Sequence, residues 1–445
     1  MVPRRLACIA ALALALGVAV PRAIHAIGAD LIGYLDPSVA INYVDCWGWS
    51  HPSNGKSYVL VGNNATALHI VDVSDPENPF QVSAPNSVPR YDIKTRGNLV
   101  YTVDGLANGT GGILDISNPA NPVAVGTFPG GHNIWIDTKG FMYVALPGLT
   151  CYDLNGHATN PLFAWRIESP DGHDAWVRGD ILFDFRGYAG TFIYNITDRY
   201  SPQLLGSIID PTVTYHHEGR LTEDGRYLYL CDEFALTPNP DITIWDLQNI
   251  ANPVKVGGIY DPTATVHYCY VVGHALAVAY FTAGFKLFDI TNPTQPVLVD
   301  HYDTSVKSGE GIFEGAYGCY PFGPGGTIYV SDRPNGLYVF RFDFATGIER
   351  VPSAALSLLP NTPNPFGAST TIPFRLERSD DAELVVYDAR GARVRALRQG
   401  FLLAGDHSVE WDGRDDAGRA ASSGVYFCRL RSQGKEAVGK LVLVR

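Results

Sequence analysis

Along most of the chain apolar and polar positions alternate in runs of four to eight residues, broken by Gly, Pro, Asn and Asp. Nowhere do apolar residues recur at the three- and four-residue spacing of an amphipathic helix over ten or more positions. The runs therefore predict short strands joined by tight turns. One phrase recurs: a strand ending in an apolar-Asp pair, a turn, Asn-Pro or a variant of it, and another short strand. It reads HIVDVSDPENPFQV from His69, GILDISNPANPVAV from Gly112 and CYDLNGHATNPLFAW from Cys151. It returns as FIYNITDRYSPQLL from Phe192, TIWDLQNIANPVKV from Thr243 and KLFDITNPTQPVLV from Lys286.

The spacing of about 40 residues is that of one propeller blade. Two further strand-like runs precede each phrase, giving four strands per period. A seventh unit, GTIYVSDRPNGLYVFRFD from Gly326, stops after its third strand. Asp30-Leu31-Ile32-Gly33-Tyr34 has the pattern of the outer strands PVKVGGIY and PQLLGSI and is a candidate for the missing one. The expectation is an all-β chain: a seven-bladed β-propeller whose N-terminal strand closes the last blade, followed by a C-terminal Ig-like β-sandwich.

Residues 1–26 read as a signal peptide. Arg4 and Arg5 precede the apolar run Leu6–Val20, and small Ala26 offers a cleavage site. The boundaries that follow are 27–344 for the propeller, 345–359 for a linker and 360–445 for the sandwich. Removing the leader subtracts three cations from a formal charge of −12, and the segment from Val351 onward carries 13 basic and 11 acidic residues. The acidity therefore belongs to the repeats. Such a surface disfavours nucleic acid, and no later segment approaches membrane-spanning length. Six cysteines remain, widely spaced and without metal-finger spacing, and read as small buried hydrophobes.

Several stretches resemble known families. LHIVDVSDPENP is similar to the LVIVD repeat. VDCWGWSHPSNGKSYVLVG, GHNIWIDTKGFMYVA and YHHEGRLTEDGRYLYLCDE continue, in order, a resemblance to secreted choice-of-anchor B proteins. That resemblance implies a secreted or surface-displayed bacterial propeller and brings no catalytic residues. PNPFGASTTIPFRL, ELVVYDARGARVRAL and AGDHSVEWDGRDDAGR resemble a FlgD-type Ig-like module of the kind seen in type IX sorting domains. It implies type IX-like export machinery as a partner, or surface attachment, although ending in Arg445 departs from the commonest sorting signals.

Candidate chemistry lies on the first strand of each period. Alignment places Val44, Tyr91, His132, His173, His217, His267 and Phe313 in register. The next position holds Asp45, Asp92, Asn133, Asp174, Glu218, Tyr268 and Glu314. Because first strands surround the channel, His132, His173, His217, His267, Asp92, Asp174, Glu218 and Glu314 are the ligand-binding candidates. The four histidines could also hold a divalent metal, although no cofactor is required by the pattern. The competing reading is hydrogen bonding to the neighbouring blade. Trp47, Trp135, Trp176 and Tyr270, three residues further on, suggest packing between blades. Asp412–Gly418 reads as a hairpin turn rather than a calcium loop, and GKEAVGKL as a strand rather than a phosphate loop. Neither GxSxG nor HExxH occurs. The preferred expectation is a secreted or outer-surface binding or scaffolding propeller with an extracellular protein or glycan ligand. The alternatives are an extracellular hydrolase or lyase at the channel mouth, and a purely structural surface protein.

Overall fold

The computed structural model describes residues 29–445 apart from 38–41, 64–66, 236–238, 306–312, 343–355, 360, 377–379, 403–404 and 433–434. The leader and most of the expected connector lie outside the described residues.

Each repeated phrase forms its turn through the Asp or Asn that ends the third strand. The side chains of Asp72, Asp115, Asp153, Asn195, Asp246 and Asp289 each accept the backbone N–H two residues on. This Asx geometry replaces a strand hydrogen bond and reverses the chain. A second Asx turn follows at Asp75, Asn118, Asp198, Asn249 and Asn292, just before the phrase's proline or its equivalent.

Among the described residues these turns generate seven four-stranded antiparallel sheets before residue 342. The innermost strands are Tyr43–Ser50, Asp92–Arg96, Asn133–Ile136, Asp174–Arg178, His216–Leu221, Tyr268–Val272 and Ala316–Gly323. Each contacts the next, and the last contacts the first, so the sheets form a closed ring around an axis. This is the architecture of a β-propeller. Apolar faces of adjacent sheets bury one another; one such cluster joins Tyr229, Ile242 and Ile244 to Leu276, Val278 and Tyr280.

The last sheet runs Asp30–Leu35, Gly336–Arg341, Thr327–Asp332, Ala316–Gly323, so the N-terminal strand does supply its outer edge. The register confirms that Asp30–Leu35 is a true outer strand. In all seven sheets the third-to-fourth-strand pairing skips one residue of the outer strand, a bulge at Ile32, Val82, Val125, Ala164, Leu205, Val256 or Val299. Gly33 follows its bulge as Gly126 and Gly206 follow theirs. A side chain at Gly33 would meet the Pro76 carbonyl of the first sheet's turn at 2.1 Å. Ser83 stands at the same place in the first sheet, and its hydroxyl donates to the Pro119 carbonyl at 2.6 Å.

The tail forms two sheets. One comprises Ser357–Leu358, Thr370–Leu376 and Gly405–Trp411; the other comprises Arg393–Leu402, Asp380–Asp388, Gly424–Ser432 and Lys435–Leu443. They share a core around fully buried Trp411, whose ring lies 5.4 Å from Phe366 and 5.1 Å from Tyr426. Ser357 and Leu358, expected in the connector, pair instead with Arg375 and Phe374. Asp415 accepts the N–H groups of Ala417 and Arg419, as a hairpin turn requires. From Lys435 onward GKEAVGKL lies within the final strand, Lys435–Leu443.

Candidate functional site at the propeller axis

The inner strands bring the histidine register together as a closed circle of aromatic rings. Centroid separations are 5.0 Å for Tyr91–His132, 4.4 Å for His132–His173, 4.3 Å for His173–His217 and 4.6 Å for His217–His267. His267 lies 3.9 Å from Tyr317, and the Tyr317 hydroxyl closes the circle by donating to the Tyr91 hydroxyl at 2.6 Å. Tyr317, with Gly318 behind it, occupies the position expected for Phe313 and Glu314. Those two residues precede the strand Ala316–Gly323, and Glu314 is not part of the inner ring. The alignment slipped by four residues because FEG before this strand mimics HEG at His217. Val44 packs against Tyr317 and Phe281 at the seventh position.

Burial lowers the basicity of all four histidines, and for His173 and His217 the neighbouring rings lower it further. All four imidazoles are therefore neutral at physiological pH. His132 Nδ1 lies 3.0 Å from the Gly105 carbonyl, and His267 Nδ1 lies 2.7 Å from the Tyr317 carbonyl. Nδ1 of His173 and both nitrogens of His217 are buried without a hydrogen-bond partner.

The second register forms a layer next to the circle. Asp92 accepts the Ile134 N–H at 2.7 Å, and Glu218 accepts the Cys269 N–H at 2.6 Å; each thus bonds the next sheet's inner strand. Asn133 donates to Asp174 at 3.0 Å and also contacts the Tyr268 hydroxyl, which donates to Asp174 at 3.1 Å. Asp92, Asp174 and Glu218 are thus held inside the ring by bonds to protein.

The third register, where Trp47, Trp135, Trp176 and Tyr270 were expected to pack between blades, also carries Lys94 and Arg220. Trp47 meets Trp135 at 6.0 Å and Tyr320 at 4.9 Å. Lys94 pairs with Asp92 and lies 3.3 Å from Asp45. Arg220 pairs with Glu218, and its guanidinium lies 4.6 Å from the Tyr270 ring centroid and 5.3 Å from that of Trp176. Sequence reasoning missed both cations, although each stands at the same three-residue offset as the aromatics.

Burial acts differently on the four acids. It drives Asp174 up to about 8 despite Arg220, and it holds Glu218 above the usual range. Burial also raises Asp45 well above that range against the pull of Lys94. For Asp92, burial is outweighed by Lys94, a hydrogen bond from Asp45 and the Ile134 N–H, which together keep it low. Asp45 is accordingly the weaker acid of the two carboxyls beside Lys94.

On the other side of the histidines stands an aromatic rim. Tyr215 lies 5.2 Å from His173, 4.8 Å from Tyr188 and 4.9 Å from Phe234, and Phe234 lies 5.6 Å from Phe313. Tyr188 is 67% exposed. Glu233, between Asp232 and Phe234 after the second strand of its sheet, reaches back to within 3.7 Å of His217 Nε2. Burial raises its carboxyl to about 8, opposed by Arg333. Inner-strand alignment could not find Glu233, which lies on a loop; the acidic pair in LCDEF was its one visible sign. All six cysteines of the ring and tail are buried and free, and burial pushes the Cys428 thiol up to about 12.

Comparison with known proteins agrees with both parts of the chain. Residues 56–85, 91–129 and 269–304 match the LVIVD repeat, and residues 363–435 match the FlgD Ig-like domain. None of the curated proteins compared matches the chain. Among solved structures, PorZ, an essential bacterial surface component of the type-IX secretion system of Porphyromonas gingivalis, is 15% identical with a TM-score of 0.43. The alignment covers 88% of this chain and 58% of PorZ. The computationally designed Ika8 protein is 9% identical, with a TM-score of 0.46 over 70% of this chain and 99% of its own. The C-terminal WD40 domain of Sif2 is 11% identical, with a TM-score of 0.48 over 71% and 99%. Likeness at this level assigns no role. No helix among the described residues is long and apolar enough to cross a membrane.

Proposed function

We propose that this chain is a secreted or cell-surface binding protein: a seven-bladed propeller that presents a ligand-binding mouth, carried on an Ig-like module serving export or attachment. The observation that carries the reading is the rim of Tyr188, Tyr215, Phe234 and Phe313 over the histidine circle. Exposed tyrosine next to half-buried aromatics gives a ligand broad contact at low entropic cost, and the ring of sheets holds it rigid. The acidic register does not compete for this role, because Asp92, Asp174 and Glu218 spend their oxygens on the neighbouring strands. The signal-like leader and the FlgD-type tail support the location.

Glycan and peptide arrays probed with the full chain test this reading, alongside Tyr188→Ala and Phe234→Ala. Hits that both variants lose, at unchanged melting temperature, are the expected result. Empty arrays, or hits indifferent to both substitutions, would overturn it.

A further inference from the structure

The four histidines of the circle differ in how their nitrogens are used. His132 and His267 are each anchored by a carbonyl at Nδ1. His173 and His217 are 7% and 1% exposed, and Nδ1 of the first and both nitrogens of the second find no protein partner in good hydrogen-bond geometry, the backbones of His217 and His267 lying only near enough to raise each ring's basicity. Leaving a buried polar atom poorly partnered is costly, so such atoms on two adjacent rings need a reason. The Glu233 carboxyl stands opposite, and at 3.7 Å its oxygen is too far from His217 Nε2 for a hydrogen bond. One ligand atom from each of His173, His217 and Glu233 lies within 4.8 Å of the other two.

We propose that His173, His217 and Glu233 form a mononuclear site for a divalent first-row metal, with zinc as its natural probe. Two neutral imidazoles and one carboxylate are a recurrent three-ligand set for zinc and for non-haem iron, with a position left for water or a ligand. Ligand atoms around tetrahedral zinc lie roughly 3.3–3.6 Å apart, given bonds of about 2.0–2.2 Å. The 3.7 Å between Glu233 and His217 Nε2 already lies close to that spacing, and the third ligand atom falls within 4.8 Å of both. The circle itself keeps the two rings side by side, because His132 and His267 clamp them from either end. Arg333, whose charge bears on Glu233, works against a cation here; its guanidinium donates to the Phe313 carbonyl at 3.1 Å and lies over Tyr317. The site goes beyond the proposed binding role and does not depend on it.

The test uses untagged full-length protein, stripped with chelator and titrated with zinc chloride in a calorimeter, with metal counted after gel filtration. One equivalent of zinc is expected, and cobalt in its place should give the visible absorption of a nitrogen- and oxygen-ligated ion. Glu233→Gln should weaken zinc binding by 100-fold or more while leaving the melting temperature of the metal-free protein unchanged. His173→Gln should do the same to binding, and exposed His157→Ala should have no effect. Failure of the parent to bind zinc, cobalt or nickel at 100 µM, or binding untouched by Glu233→Gln, overturns the site. Array binding that persists in the metal-free protein would leave the proposed function standing in either case.

Discussion

Arg220 and Glu218 form an ion pair on the propeller axis, with only 4% and 0% of their side chains open to solvent. Three other inner strands supply the rings of Tyr270, Trp176 and Trp135 against which Arg220 lies. Deleting one member of such a pair strands the other charge in a place where water cannot reach it. Arg220→Met should therefore cost about 3–5 kcal/mol in urea denaturation. Adding Glu218→Gln should recover part of that loss, because no uncompensated charge then remains. A single-substitution cost below about 1 kcal/mol would mean that water reaches the pair.

Asp45 and Asp92 flank Lys94 and look equivalent in sequence, yet burial holds the Asp45 carboxyl well above the usual range while Lys94 and the Ile134 N–H keep that of Asp92 low. Asp45→Asn, which keeps the shape and the neutral form that burial favours, should change stability at pH 7 by less than about 1 kcal/mol. Asp92→Asn removes the charge that matches Lys94 and weakens the bond from Ile134, so about 3 kcal/mol should be lost. The opposite ranking in parallel urea titrations would reverse the order of acidity.

Asp184 gives the stability a pH dependence of defined sign. It is fully buried beside Arg186, and burial lifts its carboxyl to about 6. An unfolded Asp ionises near 3.9, so between these values the folded chain binds a proton that the unfolded chain has lost. The contribution is fully present below about pH 4 and is lost as pH rises through about 6, a fall of roughly 3 kcal/mol. Asp184→Asn cannot titrate. Its stability relative to the parent should rise by that amount from pH 4 to 7, and a constant difference would exclude the effect.

The contact of Gly33 with the Pro76 carbonyl makes the N-terminal strand a fastening between the last sheet and the first. Gly33→Val, or removal of residues 29–36, should lower the ring's melting temperature by about 4–5 °C, as expected for a loss of about 3 kcal/mol in a domain of this size. Calorimetry should show the tail's transition unmoved. An unshifted ring transition would leave the strand without a structural role.

The strands were legible because an apolar-Asp pair followed by Asn-Pro states its turn chemistry locally. The histidine circle was legible because a two-residue side-chain period, repeated from sheet to sheet, puts equal positions at equal depth. What escaped was set by distance in space. Tyr317 replaces Phe313 because the FEG at Phe313 mimics the HEG at His217 yet stands before the strand that begins at Ala316. Lys94 and Arg220 break an aromatic pattern that had looked complete with Trp47, Trp135, Trp176 and Tyr270. Glu233 reaches the histidines from a loop whose path no strand periodicity describes. The unequal acidity of Asp45 and Asp92 depends on burial, which becomes visible only when the ring closes.

The Tyr34 hydroxyl donates to the Asn335 carbonyl across 301 residues of chain, and it shows when the ring becomes whole. Of all the ring's strands, the first to leave the ribosome is the last to find its place. Until Gly336–Arg341 has followed, every shorter form of the chain is an open arc with two raw edges. Assembly of the axis, with its circle of imidazoles, becomes an event timed by the far end of the repeats rather than by their beginning.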